Sequence, residues 1–197
     1  MTTRSAFSLA MIMVVLALAT SCASTDKNAN KGSVAMTFKA SGAFPAPTTL
    51  AAGDSGPLNS GPPTSATIVI SEASARTTGG TFETISGTFP KTIDVLALTE
   101  SGGSVTLPAG LLPDGSYSAI QITITEVSIT LNDGTVVTIT PPGSGWQTLI
   151  AVNFDVIAGQ ETTITLNLHC ERSFRFLNDH FEFEPDIEIE EVGGHHH

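Results

Sequence analysis

Between Tyr117 and Leu131 the chain reads Tyr-Ser-Ala-Ile-Gln-Ile-Thr-Ile-Thr-Glu-Val-Ser-Ile-Thr-Leu, and its apolar side chains change phase part-way along. Ile120, Ile122 and Ile124 alternate with Gln121, Thr123 and Thr125, the period-two pattern of a strand with one face buried and the other wet. Val127, Ile129 and Leu131 keep step with one another but not with the isoleucines. A one-residue slip turns every later side chain to the opposite face, so a core-facing strand with this pattern needs a bulge or bend at Thr125-Glu126. The spacing predicts one long strand that changes sheet or direction there, with shorter strands assembled around it.

Composition agrees with a β protein. A hydrophobic content of 41% over 197 residues suffices for one packed core, and no long 3.6-residue periodicity interrupts the β-favouring stretches. A formal charge of −11 with eight basic residues argues against sequence-independent nucleic-acid binding, which works by neutralising phosphates with Lys and Arg.

The N-terminus has a different chemistry. Arg4 precedes an apolar run, Ala6 to Ala19, that is too short for a comfortable membrane-spanning helix and ends at Ala19-Thr20-Ser21-Cys22. Small residues let a peptidase reach the backbone, and a thiol can be alkylated with lipid. The pattern resembles the bacterial lipoprotein signal, with Ala19 where Leu is commonest. Residues 1–21 then read as a signal peptide and Cys22 as the lipidated first residue of the mature chain. At about 0.8 kcal/mol per buried CH₂ one acyl chain holds a protein reversibly, whereas two or three hold it durably. The expected partner is therefore a membrane, reached through lipid on Cys22. Ala23 resembles the sorting residue for outer-membrane delivery, an Asp at that place being the familiar inner-membrane retention signal. With Cys22 consumed, Cys170 has no disulfide partner, so the fold does not depend on an internal disulfide.

Residues 22–31 are small and polar and read as a flexible tether, leaving 32–192 as the domain and 193–197 as a flexible His-bearing tail. Val34, Met36 and Phe38 mark a first strand. From Ser41 to Thr64, 15 of 24 residues are Gly, Pro, Ser or Thr, which predicts an exposed loop inserted after it. Further strands are expected at Thr67–Ser71, Phe82–Ile85 and Ile93–Leu98, the last apolar enough to be interior and covered on both faces. Asp114-Gly115 and Asn132-Asp133-Gly134 are turn signals on either side of the long strand, the second joining it to Val136–Ile139. Ile150, Val152, Phe154 and Val156 alternate again, and Ile164, Leu166 and Leu168 form a buried row that Cys170 continues, with His169 on the wet face. If Asn178-Asp179 is a two-residue turn, Phe174 faces Phe183 and Phe176 faces Phe181, while Arg175 faces Glu182 across the hairpin as an ion pair.

About nine or ten short strands separated by turns imply an all-β sandwich with Greek-key connections. The segments Ile93–Leu98, Leu112–Ile120, Asn153–Gln160 and Cys170–Ser173 occur in the order seen in bacterial lipoproteins of domain-of-unknown-function family 4382, which the chain resembles from about Gly32 to Val192. It departs from that pattern in the Ser41–Thr64 insertion and at Asn167-Leu168-His169, where an Asp-Phe-Asp type run is common. The resemblance implies an Ig-like or transthyretin-like sandwich in the cell envelope and brings no activity or site residues with it.

Several constellations invite chemistry. Gly53-Asp54-Ser55-Gly56-Pro57 looks like the surroundings of a trypsin-type nucleophile, but that arrangement needs a His base earlier in the chain, and no His precedes residue 169. Glu182, Glu184, Asp186, Glu188 and Glu190 alternate with apolar residues, which predicts carboxylates on one strand face roughly 6.5–7 Å apart. Calcium needs six to eight converging oxygens, so a solvated, charge-guarded edge is the better reading, with Glu182, Glu184 and Asp186 kept as candidate Ca²⁺ ligands. His195, His196 and His197 suit transition metals but read as a loose end; His169 and His180 lack an evident third ligand. No nucleophile–base pair, metal set or cofactor motif emerges, so no cofactor and no catalytic residue is expected. Trp146, the single tryptophan, follows a Gly/Pro loop and either caps the core or stacks on a ligand. The sequence thus points to a lipid-anchored, non-catalytic envelope protein, structural or ligand-binding, with a glycan or peptide surface around Trp146 as the alternative.

Overall fold

The computed structural model describes residues 30–45, 62–87, 89–177 and 180–194. Its strands are β1 (Lys31–Ser41), β2 (Pro63–Thr77), β3 (Phe82–Thr84), β4 (Lys91–Asp94), β5 (Ser104–Thr106), β6 (Gly110–Pro113), β7 (Gly115–Leu131), β8 (Val136–Ile139), β9 (Trp146–Val156), β10 (Glu161–His169), β11 (Phe174–Leu177), β12 (His180–Phe183) and β13 (Ile187–Gly194). Two short helices, α1 (Val95–Ser101) and α2 (Cys170–Ser173), interrupt them. The expected all-β sandwich is present; there are more strands than expected because its edges are broken into short pieces.

One sheet has the order β13-β10-β1, with β5 and β6 end to end along the other edge of β1. The other is built on the antiparallel pair β2-β7, with β3 and β4 sharing the outer edge of β2 and β8 and β9 sharing that of β7. The inward rows of both sheets, among them Val34, Met36 and Phe38, Ile68 and Ile70, Ile122 and Ile124, and Ile164, Leu166 and Leu168, make one core. β1 and β10 pair in parallel, Ser33 opposite Glu161 through Ser41 opposite His169.

The phase slip in β7 takes the form of a bulge. Val69 pairs with Glu126 and Ile70 with Ile124, so Thr125 is the unmatched residue, and Thr125 and Glu126 both turn away from the core. The strand does not change sheet as expected; it changes its edge partner, from β9 up to Ile124 to β8 from Val127 onward. It stays in one sheet because β2 slips beside it. Ser71 is unmatched between Ile70 and Glu72, so the inward row of β2 passes from Ala66, Ile68 and Ile70 to Ala73 and Ala75 at the same level.

Other turns follow local chemistry. Gly134 takes φ +84° in the turn between β7 and β8, where Leu131 N donates to Thr135 O over 2.8 Å. Of the Ser41–Thr64 stretch, Ser41 ends β1, Phe44 packs on the β11–β12 hairpin, and Pro63 and Thr64 open β2; residues 46–61 lie outside the described residues, with the Asp54-Ser55 motif. Lys31 belongs to β1, and Gly193 and Gly194 belong to β13, where they pair with Thr163 and Thr162. The signal segment, Cys22 and His195–His197 also lie outside the described residues.

The expected interior strand Ile93–Leu98 is corrected. Only Lys91–Asp94 is extended; Asp94 then accepts a hydrogen bond from Ala97 N at 3.1 Å and caps α1, which ends at Gly102 with φ +62°. A short apolar run does not distinguish strand from helix by period, and the capping Asp decides. The same carboxylate accepts from Ser65 Oγ at 2.8 Å and Ala66 N at 3.4 Å, tying the helix start to β2. Asp94→Ala is expected to lower unfolding free energy by about 1–2 kcal/mol, and Ile122→Ala, at a fully buried inward position, by about 3 kcal/mol. Urea unfolding followed by circular dichroism measures both, with Gln121→Ala as the outward-facing control.

Candidate functional site

The β11–β12 hairpin has the register its sequence predicts: Phe174 opposite Phe183, Arg175 opposite Glu182, Phe176 opposite Phe181. Asn178 and Asp179, where the sequence predicts the turn, are outside the described residues. Ring centroids lie 4.8 Å apart for Phe174–Phe183 and 4.9 Å for Phe176–Phe181, and Phe44 joins Phe174 at 4.5 Å. One detail differs: the Arg175 guanidinium reaches Glu184 at 3.7 Å, while Glu182 contacts His180 at 3.1 Å.

Trp146 meets this hairpin. It pairs with Ile124 at the level of the β7 bulge and packs edge-on against Phe183, centroids 5.0 Å apart and planes at 83°. Gly145 before it has φ +145° and lies against Ile124 O, where a Cβ would stand 2.8 Å away, so only glycine brings the chain into this corner. Trp146 is half-buried, which satisfies the core-capping reading for part of the ring. It also lines an open cleft of about 510 Å³ with Ile139, Pro142, Phe181, Phe183, Arg175 and Glu182. A second cleft of about 500 Å³ adjoins across Arg175 and Glu184, which line both, and adds Arg172, Asp186 and Thr148. The combined groove offers apolar ring surface at one end and charged hydrogen-bonding groups at the other. The sequence marked Trp146 and the hairpin separately; nothing in it signalled that they meet.

The groove lies far from Asn30, the first described residue. Asn30 O accepts from Asp114 N at 2.9 Å, at the end where β1 begins. From there β1 runs 11 residues, about 33 Å by strand rise, to Ser41. Phe44, just beyond, rests on Phe174 and Phe181 of the hairpin.

The acidic ladder is not the straight row its alternation suggested. β12 ends at Phe183 and β13 begins at Ile187, so Pro185 separates Glu182 and Glu184 from Glu188 and Glu190. Each carboxylate has a basic neighbour: Glu182 has His180, Glu184 has Arg175, Asp186 has Arg172 at 3.0 Å, Glu188 has His169 at 2.8 Å, and Glu190 has Lys39 at 2.6 Å. Of the candidate Ca²⁺ ligands, Glu184 and Asp186 thus each face a guanidinium, and Glu182 faces an imidazole. Among the described residues no three His, Cys, Asp or Glu side chains converge as a metal site.

His169 is less wet than expected, its side chain only 16% exposed. Its Nδ1 lies 3.5 Å from Ser41 Oγ, which accepts from Asn167 Nδ2 at 3.0 Å. Hydroxyl, imidazole and carboxylate in line are the parts of a nucleophilic triad, but 3.5 Å is the outer limit of a hydrogen bond and the hydroxyl is held by the amide. Cys170 is buried as predicted, though it starts α2 instead of extending β10; burial pushes its thiol up, opposed by the hydrogen bond with Thr99 at 3.4 Å and reinforced by the Glu171 charge. No described helix is long and apolar enough to cross a membrane.

Residues 59–185 match the family described as Domain of unknown function (DUF4382). The chain belongs to that family. The DUF4382 match takes in the bulged β2–β7 pair, Trp146 and the hairpin, so the groove lies within the matched residues except at its Asp186 end. No curated protein and no solved structure matches the chain.

Phe183 is 6% exposed and supports Trp146 directly. Phe183→Ala is expected to cost about 3 kcal/mol and to shift the emission of the single tryptophan to longer wavelength in the folded protein, read by fluorescence below the unfolding transition.

Proposed function

We propose that this DUF4382 protein is a lipid-anchored, non-catalytic binding protein of the bacterial cell envelope, held by acyl chains on Cys22, sorted to the outer membrane, and taking a carbohydrate in the Trp146 groove. The observation that carries the binding reading is the groove itself. The half-buried indole, backed by Phe181 and Phe183, offers an apolar surface that suits the face of a sugar ring, and Arg175, Glu182 and Glu184 beside it supply donors and acceptors for hydroxyls. Its position supports the same reading. A chain anchored at Cys22 enters the domain at Asn30, and the groove lies at the other end of β1, turned from the membrane and open to envelope polymers. The anchoring reading rests on Ala19-Thr20-Ser21-Cys22 after a short apolar run and on the polar tether that follows.

Two experiments test the two halves separately. Growth with a labelled fatty acid is expected to label the wild-type chain and not Cys22→Ser; equal labelling of both, or recovery of unacylated wild type in the soluble periplasmic fraction, refutes the anchor. On a glycan array the wild-type chain is expected to give a saturable signal that Trp146→Ala reduces by about tenfold or more, the loss of one stacking contact worth roughly 1.4 kcal/mol. No glycan signal from the wild type refutes the carbohydrate reading and leaves the anchor to stand or fall by the labelling.

A further inference from the structure

On the outward face of β10 and β13, at the end remote from Asn30, Asn167 Oδ1, His169 Nε2 and Glu188 Oε1 make no hydrogen bond among the described residues. Asn167 is 9% exposed; its Nδ2 donates to Ser41 Oγ on the β1 side, and its Oδ1 is buried with no partner. On the other side of β10 from Ser41, Glu188 of β13 is the cross-strand neighbour of Asn167. His169 lies two residues further along the same face of β10. Its Nδ1 faces Ser41 Oγ, and a proton on Nδ1 leaves a lone pair on Nε2. Nε2 stands 2.8 Å from Glu188 Oε1, within ion-pair range but not aligned for a hydrogen bond, and Nε2 too is buried.

In that tautomer Nε2 and the carboxylate oxygen are both lone-pair atoms, and at 2.8 Å they repel unless a positive centre is shared between them. Ligands at right angles in a six-coordinate shell, each bound at about 2.0–2.2 Å, stand about 2.8–3.1 Å apart. We propose that Asn167, His169 and Glu188 form a site for a divalent first-row transition-metal ion, bound through the amide Oδ1, imidazole Nε2 and carboxylate, with water in the remaining positions. Imidazole with carboxylate and amide oxygen is a donor set of intermediate hardness suited to Zn²⁺, Co²⁺ or Mn²⁺. Ser41 supports the site by accepting from Asn167 Nδ2 over 3.0 Å, with His169 Nδ1 3.5 Å from the same hydroxyl. The site is separate from the Trp146 groove and does not depend on what the groove binds.

The test uses the full chain in detergent with His195, His196 and His197 changed to Ser, since the tail alone can hold metal. Zn²⁺ is titrated calorimetrically and Co²⁺ by its visible absorption. One equivalent is expected to bind, and Glu188→Gln, His169→Gln and Asn167→Ala are each expected to weaken it on the order of tenfold or more, while Glu190→Gln leaves it unchanged. Glu188 is half-exposed, so Glu188→Gln keeps the fold and the test holds if the Asn167 variant does not fold. No saturable binding by the tail-substituted parent, or undiminished binding by Glu188→Gln and His169→Gln, overturns the proposal and leaves an imidazolium–carboxylate pair in its place.

Discussion

β2 and β7 remain paired along their whole length only because both change phase at the same level. A slip in one strand alone would turn half of its apolar row outward. With Thr125 unmatched on β7 and Ser71 unmatched on β2, each strand turns two successive residues outward and then resumes with its apolar side chains toward the core. Ser71 Oγ donates to Thr123 O at 3.3 Å and closes the interval between the bulges. The irregularity also organises the sheet edge. β9 follows β7 up to Ile124, β8 follows it from Val127, and the link between them leaves the sheet at the bulge. Trp146 is the first residue after that departure and opens the inward row that Thr148 and Ile150 continue, which sets the indole at the open end of the row, beside Phe183. The groove is therefore a consequence of the slip.

What was legible in the sequence is what short-range pattern encodes. The slip at Thr125-Glu126, the turn at Asn132-Asp133-Gly134 and the register of Phe174–Leu177 against His180–Phe183 each rest on residues close together in the chain. Parallel pairing leaves no such mark. β1 and β10 are joined by no tight turn, so nothing in either stretch announces that Ser33 lies opposite Glu161. The second half of β2 was also hidden, because Ala73, Ser74 and Ala75 are too small to signal a buried strand, yet Ala73 and Ala75 are fully enclosed. Asp94 was read as part of a strand when its side chain was the start of a helix. The groove needs both kinds of information, a local register for the hairpin and a long-range approach to Trp146, and only the first was available.

Charge on the surface follows the same division between local spacing and tertiary placement. A formal charge of −11 and alternating acids near the C-terminus suggested a row of carboxylates. In the fold the acids are spread over the hairpin, the Pro185 break and β13, and the bases they meet come from β1, β10, α2, β11 and β12. Mostly exposed pairs of this kind contribute about 0–1 kcal/mol each. Their main effect is to divide the acids among separate partners. The contact between Glu188 and His169 differs from the others because its imidazole is mostly buried, its geometry is not that of a hydrogen bond, and the amide beside it is unsatisfied.

The described chain enters and leaves at one end of the sandwich. Asn30 is bonded to Asp114 there, and Gly194 pairs with Thr162 near the start of β10, beside Val34 of β1. At the other end lie the β7–β8 turn, the link before Trp146, α2 and the aromatic hairpin. A scaffold whose entry and exit share one end leaves the opposite loops free to vary without disturbing the sheets, the arrangement in which binding residues collect on loops held by a rigid frame. The bulged β2–β7 pair is rigid because its inward residues are enclosed, and Trp146 and the hairpin rest on it through side-chain packing. A change in the link or the hairpin can therefore alter the groove while the core keeps its register, whereas a change in the phase of β7 would displace both together.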